Sequence, residues 1–324
     1  MPKAICFEQF GGPEVMKWMD VEVPEPGPGE ARIRHKAVGV NFVDVYQRSG
    51  LYKVPLPSIA GNEGAGIVEA VGAGVTLVKP GDRVAYAGVM GAYCEVRNMK
   101  AERLCLLPDN ISFEQAAAMM LKGLTVQYLI RRTYRVEAGD TVVFHAAAGG
   151  VGTIACQWLR MLGAKVIGTA GSEAKCELAR QNGADFCIDY RRENILERMQ
   201  AITGGAGAAV VYDSVGKDTF ETSLKSLRPR GLMVSFGNAS GPVPPLDLLL
   251  LSQLGSLYVT RPTLATYIAQ RSDLEEAAAE LFGVVTSGAV KIEINQQYPL
   301  YDAPRAHQDL ESRRTTGSTI LLTE

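Results

Sequence analysis

The sequence predicts an α/β chain in two parts, a barrel-like β domain and a doubly wound, parallel, six-stranded sheet. Three observations predict it. The first 120 or so residues carry short β-like runs separated by Gly and Pro. From about Ser112 onward, strand-like and helix-like segments alternate. The tail then returns to strand-like runs.

In the first part, the runs are Ala31–Val40, Gly66–Val71, Arg83–Ala87 and Tyr93–Val96. Turn formers break them at Pro24–Gly29, Gly72–Gly74 and Pro80–Asp82. Helix formers fill Phe113–Leu121, and Ser112 three residues ahead of Gln115 reads as a capping box. The six strands of the second part are Thr141–His145, Lys165–Thr169, Phe186–Ile188, Ala208–Tyr212, Leu232–Phe236 and Ser256–Thr260. The tail holds a helix, Leu274–Val285, and strands Lys291–Ile294 and Ser318–Leu322. The simplest organisation has residues 123–262 inserted between residues 1–122 and 263–324 of one domain.

Composition bounds the function. The chain has 324 residues, 47% hydrophobic and 21% charged, which is the balance of a globular protein. Its net charge is −2 with scattered basic residues, so nothing in bulk electrostatics favours a nucleic-acid partner. The N-terminus lacks the order of a signal peptide. The longest apolar stretch, Leu246–Val259, is interrupted by Asp247, Ser252, Gln253 and Gly255, too soon to span a membrane. Six dispersed cysteines without a C-x-x-C pair are expected to be thiols of a cytoplasmic protein.

The strongest motif follows the first strand of the second part. Thr141–His145 runs into Ala146-Ala147-Ala148-Gly149-Gly150-Val151-Gly152. Val151, Ile154, Ala155, Trp158, Leu159 and Leu162 then recur at helical spacing, and the next strand starts after Gly163. This βαβ unit is a dinucleotide cradle: Gly149 admits a pyrophosphate to the backbone, Gly152 lets helix and strand approach, and the helix start attracts negative charge. Ala147 replaces the first glycine of the usual pattern. An NAD site needs an acid at the end of the second strand. Here the segment reads Ala170-Gly171-Ser172, with Lys175 following, which suits the 2′-phosphate of NADPH. Glu173 is the dissenting acid, placed where it favours the helix dipole.

Several separated segments also carry a family likeness. Gly61-Asn62-Glu63-Gly64-Ala65-Gly66, Pro80-Gly81-Asp82-Arg83-Val84, Phe144–Gly152, Tyr212-Asp213-Ser214-Val215-Gly216 and Gly231–Asn238 resemble the quinone oxidoreductase branch of the medium-chain dehydrogenase/reductase superfamily. The resemblance implies a GroES-like β-barrel catalytic domain, residues 1–122 and 263–324, around a Rossmann NADPH-binding domain, residues 123–262. It also implies a homodimer, in which Leu246–Val259 pairs across a twofold axis; the alternative is a monomer in which that segment is an internal sixth strand.

Departures from the zinc-dependent relatives matter as much. Their metal-binding cysteine and histidine correspond to Asn41 and Asn62, and their lobe of four closely spaced cysteines is absent. Zinc needs about four deprotonated N, S or O ligands, and His35, His145 and His307 make no substitute cluster. The chemistry must therefore suit an acceptor already activated for hydride, such as a quinone, rather than an alcohol.

The resemblance places the acceptor near Asn41, Tyr46 and Tyr52, whose amide and phenols offer donors, with Asn41 also bordering the cofactor. It implies further cofactor contacts at Lys122, Thr125, Tyr128, Tyr190, Val215, Phe236, Gly237, Asn238, Ser240, Arg261 and Arg313, besides Gly149–Gly152, Gly171, Ser172 and Lys175. The expectation is an NADPH:quinone oxidoreductase without a metal. The alternatives are an NADPH-dependent reductase of α,β-unsaturated carbonyls and, from another class, an RNA-binding or crystallin-like structural role.

Overall fold

The computed structural model describes residues 1–323. The chain opens with β1 (Lys3–Phe7), β2 (Lys17–Asp20), β3 (Glu30–Val40), α1 (Phe42–Arg48), β4 (Ser58–Ile59), β5 (Glu63–Val71), β6 (Arg83–Ala87), β7 (Val96–Lys100), β8 (Cys105–Leu106) and α2 (Phe113–Tyr128). It continues with β9 (Thr141–Phe144), α3 (Gly150–Met161), β10 (Lys165–Ala170), α4 (Glu173–Gln181), β11 (Phe186–Asp189), α5 (Ile195–Thr203) and β12 (Ala208–Asp213). There follow α6 (Phe220–Lys225), β13 (Leu227–Ser235), α7 (Leu248–Gln253), β14 (Tyr258–Thr260) and α8 (Leu264–Tyr267). The tail holds α9 (Arg271–Thr286), β15 (Ile294–Pro299), α10 (Ala303–Glu311) and β16 (Ser318–Leu322).

The chain divides into two compact units. The first is Met1–Leu124, Ile268–Thr286 and Ile292–Glu324; the second is Thr125–Tyr267 and Ser287–Lys291. In the first, a seven-stranded sheet runs β15-β16-β3-β5-β6-β8, with β7 also on β3. A smaller sheet runs β2-β1-β4. The long β3 pairs antiparallel with β5, β7 and β16, so the tail strand β16 closes on the opening segment. Ile5, Phe7, Ile33, Val38, Val84, Tyr86, Tyr93, Leu104 and Leu321 form its core.

In the second unit, every pair in the sheet is parallel, in the order β11-β10-β9-β12-β13-β14. Counted along the unit this is 3-2-1-4-5-6, and the direction of winding reverses between β9 and β12, where ligands bind in such sheets. Parallel strands covered on both faces should be apolar throughout, and all six residues of β12 are buried. Val143, Ile167, Val211 and Met233 form the core beneath it.

Local departures from expectation have local causes. The expected strand Tyr93–Val96 lies instead at Val96–Lys100, because Cys94 makes only an isolated bridge to Ala4 before the chain joins β3. The fifth strand starts early, at Leu227, and bends at Arg230, whose φ is 60°. Ser256, at φ 58°, delays the sixth strand to Tyr258. The tail strand expected at Lys291–Ile294 lies at Ile294–Pro299. The capping box is present, with Ser112 N donating to Gln115 Oε1 (3.1 Å) and Gln115 N to Ser112 Oγ (3.2 Å).

Candidate active site

The ligand edge of the second unit is built around the turn after β9. Gly149 caps α3, and the first helical bond runs from Thr153 N to Gly149 O (2.9 Å). The N–H groups of Gly150, Val151 and Gly152 thus lie in the first turn with no intrahelical acceptor, an arrangement suited to phosphate oxygens. The Gly149 N–H closes the turn on Ala146 O (2.9 Å). A Cβ on Gly152 would stand 2.5 Å from Ala146 O and 2.6 Å from Ala147 Cα, so only glycine fits there. The methyl of Ala147, in place of the first glycine, has its room because Gly168 has no side chain: a Cβ there would meet it at 2.7 Å. These features fit a dinucleotide pyrophosphate.

The turn after β10 carries Gly171, Ser172 and Lys175. Ser172 Oγ caps α4 by accepting from Lys175 N (3.4 Å). Gly171 lies under the ring of Tyr190, whose hydroxyl would sit 2.6 Å from a Cβ there. Glu173 is drawn along α4 into an ion pair with Arg180.

The loops after β12 and β13 are joined. Ser240 N donates to Val215 O (2.8 Å), and Ser240 Oγ bridges Val215 O (2.9 Å) and Asp218 N (3.0 Å). Arg261 Nη1 donates to Ser235 Oγ and Gly237 O, both at 2.9 Å. With the Asn238 amide oxygen facing Arg261 Nη2 (3.1 Å), the guanidinium clamps Ser235–Asn238. Phe236 packs beside Phe144, with ring centroids 5.9 Å apart. Thr125 and Tyr128 are buried, and Tyr128 stacks on Tyr267 at 4.5 Å, so the structure gives its ring a packing role.

In the first unit, Asn41 caps α1. Its backbone N–H donates to Asp44 Oδ2 (2.8 Å), and its amide Nδ2 to Glu63 Oε2 (2.8 Å). Glu63 is fully buried and also accepts from Leu121 N (2.7 Å) and Lys122 Nζ (3.1 Å). Lys122, expected at the cofactor, is thus held inside by a carboxylate. Asp44 accepts from Asn62 Nδ2 (2.7 Å) and Tyr93 OH (3.0 Å); burial raises its carboxyl to about 6, against the pull of these bonds. Tyr93 OH also meets His307 Nε2 (3.1 Å). Tyr46 is buried, with Tyr52 edge-on at 5.1 Å and partly exposed. Arg313 stands in the exposed loop after α10 at φ 58°.

Sequence patterns did not single out Asp44, Glu63, His145, Asp213 or Ser223 as parts of a polar network. The partners of Glu63 and His145 lie 22 to 78 positions away, beyond any local spacing rule, whereas those of Asp213 lie only 2 to 10 positions on, in a loop without periodic spacing.

This fold and ligand edge define a dinucleotide-binding oxidoreductase of two units. Residues 27–136 match the family model "Alcohol dehydrogenase GroES-like domain", and residues 150–283 match "Zinc-binding dehydrogenase". A quinone oxidoreductase of Pseudomonas aeruginosa is 58% identical over 324 residues, 99% of this chain and 100% of the relative. The crystal structure of Escherichia coli quinone oxidoreductase complexed with NADPH superposes with a TM-score of 0.97, at 53% identity over 99% of each chain. A 2-haloacrylate reductase of a Burkholderia species is 42% identical over 331 residues, 99% of each chain. The chain belongs to the quinone oxidoreductase family of the medium-chain dehydrogenase/reductase superfamily.

The zinc in one family model's name does not fit these residues. Asn41 and Asn62 point their Nδ2 groups at Glu63, Asp44 and Gln47, and an amide nitrogen, its lone pair delocalised into the carbonyl, is only a donor and cannot replace the thiolate and imidazole that bind zinc. Among the described residues, no group of three or more His, Cys, Asp or Glu is placed to hold a metal ion.

Proposed function

We propose that the chain is an NADPH-dependent quinone reductase that works without a metal. The observation that carries this is the cradle after β9, where Gly152 has no room for a Cβ, in a chain 53% identical to a quinone oxidoreductase solved with NADPH. When bound, the cofactor supplies the hydride. The chain's own groups do the rest. The first turn of α3 holds the pyrophosphate, Ser172 and Lys175 meet the 2′-phosphate with Tyr190 beside them, and the Arg261 clamp sets the Phe236–Ser240 loop. Val215, Thr125, Tyr128, Lys122 and Arg313 complete the proposed cofactor set, with Lys122 held by Glu63 and Tyr128 by its stack on Tyr267.

Asn41, Tyr46 and Tyr52 are the proposed acceptor-side donors. Glu63 fixes the Asn41 amide, and an N–H or O–H directed at a quinone oxygen stabilises the negative charge that develops there. Residues 1–122 and 263–324 are the proposed catalytic domain and 123–262 the proposed cofactor domain. A cytoplasmic homodimer is proposed as well. Among the described residues no helix is long and apolar enough to cross a membrane. The edge strand β14, with Tyr258, Leu248 and Leu249 well exposed nearby, offers a pairing face.

One observation favours a second reading. The Burkholderia 2-haloacrylate reductase relative supports reduction of α,β-unsaturated acids or carbonyls on the same frame. The test is steady-state NADPH oxidation across quinones, enones and 2-haloacrylate. Quinones giving the highest kcat/KM supports the first reading; enones or haloacrylate exceeding them by tenfold replaces it with the second.

A further inference from the structure

Beneath the three ligand-edge turns of the second unit runs a chain of buried polar groups, Thr169, His145, Ser223 and Asp213, that joins two of the separated motif segments. His145 directly follows β9 and is 1% exposed. Its Nδ1 lies 2.9 Å from Thr169 Oγ1, near the end of β10. Its Nε2 lies 2.9 Å from Ser223 Oγ, on α6. Ser223 Oγ donates to Asp213 Oδ2 (2.7 Å), at the end of β12. The fully buried Asp213 also accepts from Thr219 Oγ1 (2.7 Å), Val215 N (2.8 Å) and Gly216 N (3.0 Å).

The donors in this chain have one consistent direction. A hydroxyl has one hydrogen. Ser223 gives its hydrogen to the Asp213 carboxylate, so it accepts from His145. Nε2 therefore carries the imidazole proton. Burial lowers the imidazole's proton affinity, so the ring is neutral and Nδ1 is an acceptor. Thr169 fills it with its hydroxyl hydrogen. The order is Thr169 to His145 to Ser223 to Asp213, ending on the one charge.

The two ends of this chain are cofactor turns. Thr169 stands three residues before Ser172, and Asp213 fixes the N–H groups of Val215 and Gly216. His145 itself leads into the glycine turn. An apolar ring would fill the same core volume without setting these strand ends against one another. We propose that His145 is a positioning residue for NADPH. Through Thr169 and Ser223 it holds the 2′-phosphate turn and the Val215 turn in register with the glycine turn. This rests on the NADPH reading above, and it assigns His145 no contact with the cofactor.

The test is fluorescence titration of NADPH and NADH, with thermal unfolding of each variant. Tight NADPH binding by the wild type checks the underlying reading separately. His145→Phe is expected to weaken NADPH binding about fivefold, the size of one neutral hydrogen bond, and to lower the NADPH-over-NADH preference. His145→Gln, which supplies both an acceptor and a donor, is expected to restore most of it. Thr169→Val cuts the chain at its first member, and it tests the proposal even if His145→Phe fails to fold. It is expected to lower the same preference. Variants that lose thermal stability while keeping the wild-type ratio of NADPH to NADH affinity would overturn the proposal and leave His145 a core residue.

Discussion

The two units hold their polar groups by different means. The second unit shapes its ligand edge with backbone: a glycine no other residue can replace, helix N–H groups, and a neutral chain from Thr169 to Ser223 ending on one carboxylate. The first unit gathers charge and titratable groups in its interior, with Glu63 on Lys122, Asp44 on Asn62 and Tyr93, and His307 on Tyr93. A backbone site tolerates little change of shape, whereas a buried ionic site tolerates little change of charge or pH. The variants that follow separate the two cases.

The largest effect is expected from Lys122→Met. It leaves Glu63 buried without its counter-charge and should cost about 3–5 kcal/mol, read by urea unfolding. Changing Lys122 and Glu63 together to Met and Gln should recover much of that loss. If the single variant is as stable as the wild type, the Lys122–Glu63 pair is not what holds this interior together.

Gly152→Ala comes next. Its methyl meets the backbone of Ala146 and Ala147, which cannot rotate away, so a loss of about 1–3 kcal/mol is expected together with loss of NADPH binding. Calorimetric titration reads the second effect. Unchanged NADPH affinity in a folded variant would remove Gly152 from the cofactor site.

The pH prediction is of similar size. Burial, reinforced by the Arg48 charge, lowers His307 to about 3, and burial lowers His35 to about 3. Each binds a proton in the unfolded chain near pH 6.5 but not in the folded one until about 3. Stability is therefore lost as pH falls below 6.5, by about 2 kcal/mol per histidine between pH 6.5 and 5. Asp44 acts the other way: its folded value of about 6 lies above the unfolded 3.8, so protonation between them favours the folded state. Histidines outnumber it, so the net slope is acid-labile. His307→Gln should flatten the acid limb of a stability-versus-pH curve; an unchanged limb would show that His307 does not contribute to it.

The smallest effect belongs to the 2′-phosphate turn. Lys175→Met should reduce NADPH affinity about tenfold, the size of a charge-assisted hydrogen bond, and leave NADH affinity unchanged. Ser172→Ala should cost about 1 kcal/mol through the lost cap of α4.

The contrast also explains what the sequence made legible. Periodicity and glycines exposed the βαβ unit, because β9, the turn and α3 are consecutive and each glycine answers to a local constraint. The missing acid at Ala170–Ser172 was readable for the same reason. The role of Glu173 was not, since its ion pair with Arg180 depends on how the side chains lie along α4. The resemblance pointed to Lys122 and Tyr128 as cofactor contacts; the fold adds a bond from Lys122 to Glu63 and a stack of Tyr128 on Tyr267, pairings that no local spacing announces. Asn41 was readable as a lost metal ligand through the resemblance, yet its tie to Glu63 joins residues brought together only when β3 pairs with β5. His145 was visible only as a histidine outside any metal cluster, because Thr169 and Ser223 lie 24 and 78 positions away.

The central claim is hydride transfer from NADPH to a quinone without a metal. It is tested most directly by NADPH oxidation with 1,4-benzoquinone before and after exhaustive chelation, with NADH run in parallel. The account predicts the same kcat/KM on both sides of chelation and a preference for NADPH of at least about tenfold. Activity that disappears on chelation and returns with zinc, or a preference for NADH, would contradict it.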